Sequence, residues 1–354
     1  MAHPVVLAVT TLDVVSLFFL CRAAAGAVHI EADWEPGSNG RSQIILERAF
    51  ETGAISAGVV FGLAAFSTLI LLLGITNVFP EIVPGAMCGT GVLQATKGEG
   101  GRAILFRLIA LLLLYVWSVL ESLNRSRPDC PMARLNARML LLASPFAFLG
   151  FLNTFWAFGS LDVYSPVSCC TALYDRVSAG EGVLDAGKVS DRWWVFSFVA
   201  LTLSMLSGGL GGFAAGTQRF GKLSAASAVT TLLWAPLAAT ALVRVFSAYY
   251  YEVLHHHCPW CLFLPEHGFA GFPLFFLWLL ASFQGFAGFA VYRAVRARPE
   301  LQPLGIRKAR RLLLWAGLLA GLFAIVAVWP ALSWRLHFGV WMGMTPVPPP
   351  LRSW

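Results

Sequence analysis

Charged side chains are scarce in this sequence. Asp, Glu, Lys and Arg supply 12% of it, against the roughly 25% of an ordinary soluble domain. Hydrophobic residues supply 58% of the 354 positions, more apolar surface than a water-soluble fold can hide, so the bilayer is the expected solvent. Histidine is missing from the centres of the apolar runs: the seven are His3, His29, His255, His256, His257, His267 and His337. With no C-x-x-C-H either, haem ligation has no support. No G-x-x-x-x-G-K-[ST] and no glycine-rich dinucleotide fingerprint occurs, so neither a nucleotide-driven pump nor a nicotinamide enzyme is indicated. A hydrolase nucleophile elbow is absent as well. No internal repeat is visible and no loop is long enough for a soluble domain, so the chain reads as one membrane domain over 1–354.

Eight apolar runs reach the ~17–25 residues that a spanning helix needs. They lie near 4–27, 54–79, 103–122, 139–160, 193–216, 224–247, 273–292 and 311–333. The runs are continuous, without the alternation of a transmembrane strand, so the expected fold is an all-α, polytopic helix bundle. Segment 42–51 reads as an amphipathic lead-in to the second span. Gly208, Gly212 and Gly216 in the fifth form the small-xxx-small pattern of closely packed membrane helices.

The net charge of +7 sits in short loops beside spans, which makes it a topology signal rather than a nucleic-acid footprint. Arg125, Arg127, Arg134 and Arg138 mark one basic loop, Arg219 and Lys222 a second, and Arg293, Arg296, Arg298, Arg307, Lys308, Arg310 and Arg311 a third. These loops alternate, so they are expected together in the cytoplasm, with both termini and the cysteine-rich loops outside. The acidic segment 31–51 falls on the cytoplasmic side of this threading, where acidic residues carry little topological weight.

On that threading Cys88, Cys169, Cys170, Cys258 and Cys261 share the non-cytoplasmic face, whereas Cys21 and Cys130 do not. The densest stretch is His255-His256-His257-Cys258-Pro259-Trp260-Cys261, followed by Glu266-His267. Thiolates and imidazoles suit copper or zinc, and a C-x-x-C turn can aim two sulfurs at one ion. The same spacing suits a reversible disulfide. Two structural readings stand beside these. The exported cysteines could staple the loops as disulfides, and the histidine run beside Tyr249, Tyr250 and Tyr251 could belong to an aromatic interfacial belt.

Ionisable groups within spans invite a functional reading. Asp13 lies near the middle of the first span. Arg107 and Arg244 lie towards the outer ends of the third and sixth, placed to snorkel, to pair with an acidic group, or to meet a quinone. Asn153 and Gln284 are expected to hydrogen-bond between helices.

The segments Asp33-Trp34-Glu35-Pro36-Gly37-Ser38, Gly85-Ala86-Met87-Cys88-Gly89-Thr90-Gly91-Val92-Leu93, Val167-Ser168-Cys169-Cys170 and His256-His257-Cys258-Pro259-Trp260-Cys261 together resemble a group of uncharacterised multi-pass bacterial membrane proteins. The resemblance implies a bacterial plasma-membrane location and carries no activity. Paired cysteines at the outer face are also similar to those of the quinone-linked disulfide-forming proteins and the vitamin K epoxide reductase group, from which this chain departs in its number of spans.

Three functions follow as expectations. In the first, Cys258 and Cys261, with His255, His256, His257 or His267, bind copper or zinc and exchange it with an exported partner; Cys88, Cys169 and Cys170 form a second or shared site. In the second, Cys258 and Cys261 perform thiol–disulfide exchange with an exported thiol protein, Cys169 or Cys170 with Cys88 relays the electrons, and a quinone at Arg107 or Arg244 is the terminal carrier. The third is a structural subunit of a membrane complex.

Overall fold

A lipid-facing backbone has no water to bond to, so each apolar run must satisfy its own N–H and C=O groups, and a helix does this within one segment. The computed structural model describes residues 3–35, 40–167, 191–253 and 256–342, apart from the side chain of Thr217. It is all-α, with no strand among the described residues. Cys169, Cys170 and His255 lie outside the described residues.

The helices are α1 (Pro4–Asp33), α2 (Arg41–Leu73), α3 (Gly89–Ala95), α4 (Glu99–Asn124), α5 (Ala133–Ser160), α6 (Asp191–Ala214), α7 (Thr217–Ala241), α8 (Ser247–Tyr251), α9 (Gly271–Val295) and α10 (Gln302–Phe338). A π turn over Gly74–Val78 and a 3-10 turn over Phe79–Glu81 prolong α2, and a second π turn, Leu242–Phe246, joins α7 to α8. Eight of the resulting stretches are long and apolar enough to cross a membrane, one for each expected span. The lead-in at 42–51 is not a separate element: it is the first part of α2 itself.

The chain divides into two compact units, Met1–Val167 with Phe286–Ala309, and Ser168–Gly285 with Arg310–Trp354. In the first, α1 packs on α2 and α5, and α4 packs on α5 and α2. Pro4 opens α1 and His3 Nδ1 accepts the Val5 N–H at 3.2 Å, which satisfies one of the orphan donors of the first turn. At the other end of this bundle the acidic residues are matched to arginine: Arg138 pairs with Glu31 and Arg125 with Glu121, each at 2.6 Å. The acidic segment therefore begins as a partner of the basic loop.

In the second unit α6 packs on α7. Trp234, fully buried, donates its indole N–H to Thr202 Oγ1 at 3.0 Å, and its ring meets Phe323, which also meets Phe198. Close approach of α6 depends on glycine, although not chiefly on the expected triplet. A Cβ on Gly209 would fall 2.7 Å from Leu313 O, and one on Gly317 would fall 2.8 Å from Met205 O. Gly208 faces Ser227 of α7, while Gly216 faces open space and N-caps α7. The four-residue spacing identifies the helix, but the glycine that meets α10 sits one position along. Gly317→Leu is expected to cost about 1–3 kcal/mol through overpacking; denaturant titration of the purified protein should show this, with Gly211→Leu, where a Cβ meets nothing, near neutral.

Candidate metal site

The C-P-W-C turn is built from local backbone rules. Glu252 closes α8 in the left-handed conformation at φ 55°. Cys261 opens a short 3-10 turn through Phe263, and Leu264 N–H returns to Cys261 O at 3.1 Å. A second 3-10 turn, Pro265–His267, ends at Gly268, whose φ of 62° suits glycine. Phe263 anchors the turn on α9 by stacking on Phe275 at 5.2 Å, and a Cβ on Gly271 would sit 2.8 Å from its ring. That contact fixes Cys261, which is buried.

Tyr251 organises the other side. Its hydroxyl donates to the Cys258 carbonyl oxygen, while its ring meets His256 and His267 edge-on, each at a centroid distance of 4.6 Å. Burial pushes the His267 pKa down, the neighbouring His256 adds to this, and Glu266 opposes it. The imidazole is therefore biased towards its neutral form at pH 7.

Cys88 belongs to the glycine-rich turn of the first unit. It is fully buried and in extended conformation as the N-cap of α3. Gly85, at φ 74°, lets Val167 N–H reach Pro84 O at 2.9 Å, and a Cβ there would meet Val167 O at 2.4 Å. At Gly91 a Cβ would press on Ala86 at 2.8 Å. The Gly-Ala-Met-Cys-Gly-Thr-Gly motif is thus a compact turn that encloses the thiol.

Within the second unit, the Sγ atoms of Cys258 and Cys261 lie within 4.8 Å of one another, a thiol pair that could share a metal ion. This is the order of spacing that sulfurs about 2.3 Å from a shared ion require. No disulfide joins the described cysteines. His256 and His267, expected as ligands, pack on Tyr251. Cys21 lies on α1, and Cys130, at φ 44°, in the turn before α5. Burial, then the nearby Glu121, push the Cys130 thiol pKa up, which leaves it a poor nucleophile.

Of the readings open for Arg107, pairing with an acidic group is the one the structure shows: it is 2% exposed and pairs with Asp13 of α1. Its Nε donates to Thr154 Oγ1 at 2.8 Å and its Nη1 to Ser67 Oγ at 3.2 Å, while Ser67 donates to Asp13 Oδ1 at 2.6 Å. Phe151 lies against the guanidinium, 5.3 Å from ring centroid to Cζ, and a Cβ on Gly150 would press on Arg107 Cγ at 3.0 Å. A guanidinium spent on this network is a poor anchor for a quinone. Arg244 is exposed on the π turn before α8. Asn153 donates to Leu149 O of its own helix at 2.8 Å rather than across helices, and Gln284 Oε1 is buried with no hydrogen-bond partner. Sequence reasoning missed the partners Ser67 and Thr154, the hydroxyl of Tyr251, and the buried Glu121, which accepts from Asn136 Nδ2 at 2.6 Å. A carboxylate next to an apolar run was the available signal for the last of these.

No protein-family model, curated protein or solved structure matches the chain. Functional inference therefore rests on side-chain chemistry.

Removing one member of the buried pair tests its weight. Asp13→Asn strands the guanidinium and should cost about 3–5 kcal/mol, read as a shifted midpoint in denaturing-detergent titration. Thr154→Val should cost about 0.6 kcal/mol, the average for a membrane hydrogen bond. An unshifted midpoint for Asp13→Asn would show that the pair carries no stability.

Proposed function

We propose that the protein binds a thiophilic transition-metal ion, copper(I) or zinc, through Cys258 and Cys261, and exchanges it with an exported partner on the non-cytoplasmic side of a bacterial plasma membrane. The observation that carries this reading is the proximity of the Cys258 and Cys261 thiols in the C-P-W-C turn. Soft thiolates select copper(I) and zinc among the available ions, and a two-sulfur set leaves part of the ion open to an incoming ligand. Cys261 is buried, which limits the access of water to the ion. His255, His256, His257 and His267 lie beside the two cysteines in sequence and supply nitrogen donors to an ion on its way in or out. Cys169 and Cys170 supply two more thiols for the same traffic.

The C-x-x-C spacing supports a second reading, thiol–disulfide exchange. There the Cys258 and Cys261 thiols would give two electrons and two protons to a quinone, leaving a disulfide and a quinol, with Cys88 as a relay.

Metal analysis of the purified full-length protein, prepared under reductant and titrated with copper(I) or zinc, separates the two. One ion per chain is expected, with affinity reduced at least about tenfold in Cys258→Ser and Cys261→Ser, since each removes a direct ligand, and unchanged in Cys21→Ser and Cys130→Ser. Thiolate ligation releases protons, so affinity should rise with pH. A protein that takes up no metal, and whose Cys258–Cys261 disulfide is regenerated by quinone, would instead establish the redox reading.

A further inference from the structure

At the arginine-rich end of the first unit, Trp34, Glu35, Pro131, Arg134 and Arg298 wall an open-mouthed cleft of about 390 Å³. Its two guanidinium groups are held by main-chain oxygens. Arg134 Nη2 donates to Trp34 O at 2.8 Å; Arg298 donates through Nε to Pro131 O at 3.1 Å and through Nη1 to Ala294 O at 2.7 Å. An arginine fork carries five N–H donors, so each side chain is fixed in place with further donors to offer.

Charge balance separates these two arginines from their neighbours. Arg125 is paired with Glu121, Arg127 with Asp129, and Arg138 with Glu31. Arg134 and Arg298 form no ion pair among the described residues, and the one carboxylate in the cleft wall, Glu35, is paired with neither. Two pre-positioned, uncompensated guanidiniums therefore share one cavity. It lies where α1 ends at the C-cap Trp34 and α5 begins, the level at which a membrane-length bundle meets lipid head groups.

We infer that this cleft binds a phosphate group, carried by an anionic phospholipid or free in solution. Guanidinium forks match phosphate oxygens bidentately and are weakly hydrated, so they release water at low cost. Basic pockets between membrane helices are suited to anionic head groups, and the cleft volume falls within the range of small-molecule sites, about 300–1,000 Å³. The inference shares no residue with the thiol pair and stands whether or not that pair binds metal.

Native mass spectrometry of the full chain, offered equal amounts of phosphatidylglycerol and phosphatidylcholine, tests it. Phosphatidylglycerol adducts should dominate, and each of Arg134→Gln and Arg298→Gln should reduce them by about fivefold, the worth of one arginine near an anionic lipid. Both arginines also hold main chain, so Glu35→Gln supplies the guard: it leaves them in place, removes a repelling carboxylate, and should raise phosphatidylglycerol binding, a gain that misfolding cannot produce. Inorganic phosphate added to the phosphatidylcholine sample gives the other arm. If it raises thermal stability in an Arg298-dependent way while phosphatidylglycerol shows no preference, the ligand is free phosphate. Equal binding of both lipids, no effect of phosphate, and no gain in Glu35→Gln would overturn the inference.

Discussion

Everything in this molecule follows from the constraint that its backbone must satisfy its own hydrogen bonds wherever lipid surrounds it. The apolar runs can do this only as helices, so residues in α1, α2, α4, α5, α6, α7, α9 and α10 are committed to regular structure. Irregular backbone is confined to the helix ends. The left-handed residues Lys97, Cys130, Glu252 and Phe269, and the glycines at 85, 98, 268 and 339, all lie at such ends or in the turns between them. A metal-binding turn needs irregular backbone, and the C-P-W-C and Gly-Ala-Met-Cys turns occupy the positions where it is permitted.

The same constraint explains the charges that remain inside. A guanidinium in hydrocarbon is costly on its own, and Arg107 avoids that cost by engaging Asp13, Ser67 and Thr154 from three other helices. The pair thereby ties α1, α2, α4 and α5 to one arrangement. A buried ion pair adds little stability compared with well-packed apolar residues, so its main effect is on which packing is adopted. Gly150 completes the arrangement by letting α5 pass close to the arginine.

Much of this could be read from the sequence, and the failures share a cause. Span positions depend on local composition, and all eight were recoverable. The two cysteines of C-P-W-C are adjacent in sequence, so their grouping was visible too, and Cys88 was expected on the same face. Asp13 and Arg107, by contrast, are 94 positions apart, and hydropathy does not say which helix face turns inward, so an acidic partner for Arg107 stood only as one alternative beside snorkelling and quinone binding and could not be named. The packing of Tyr251 against His256 and His267 was hidden for a similar reason, since it depends on how the turn after α8 folds back. For the glycines, a repeat of four residues drifts around a helix of 3.6 residues per turn: Gly208 meets Ser227 of α7, while the residue that meets α10 is Gly209.

The central claim is that the Cys258 and Cys261 sulfurs bind the ion. X-ray absorption at the metal edge of the copper(I)-loaded protein reads the coordination shell directly. The account predicts sulfur scatterers at a distance near the 2.3 Å typical of metal–thiolate bonds, with one sulfur lost in Cys258→Ser. A shell of imidazole nitrogen alone, unchanged in Cys258→Ser, would contradict it.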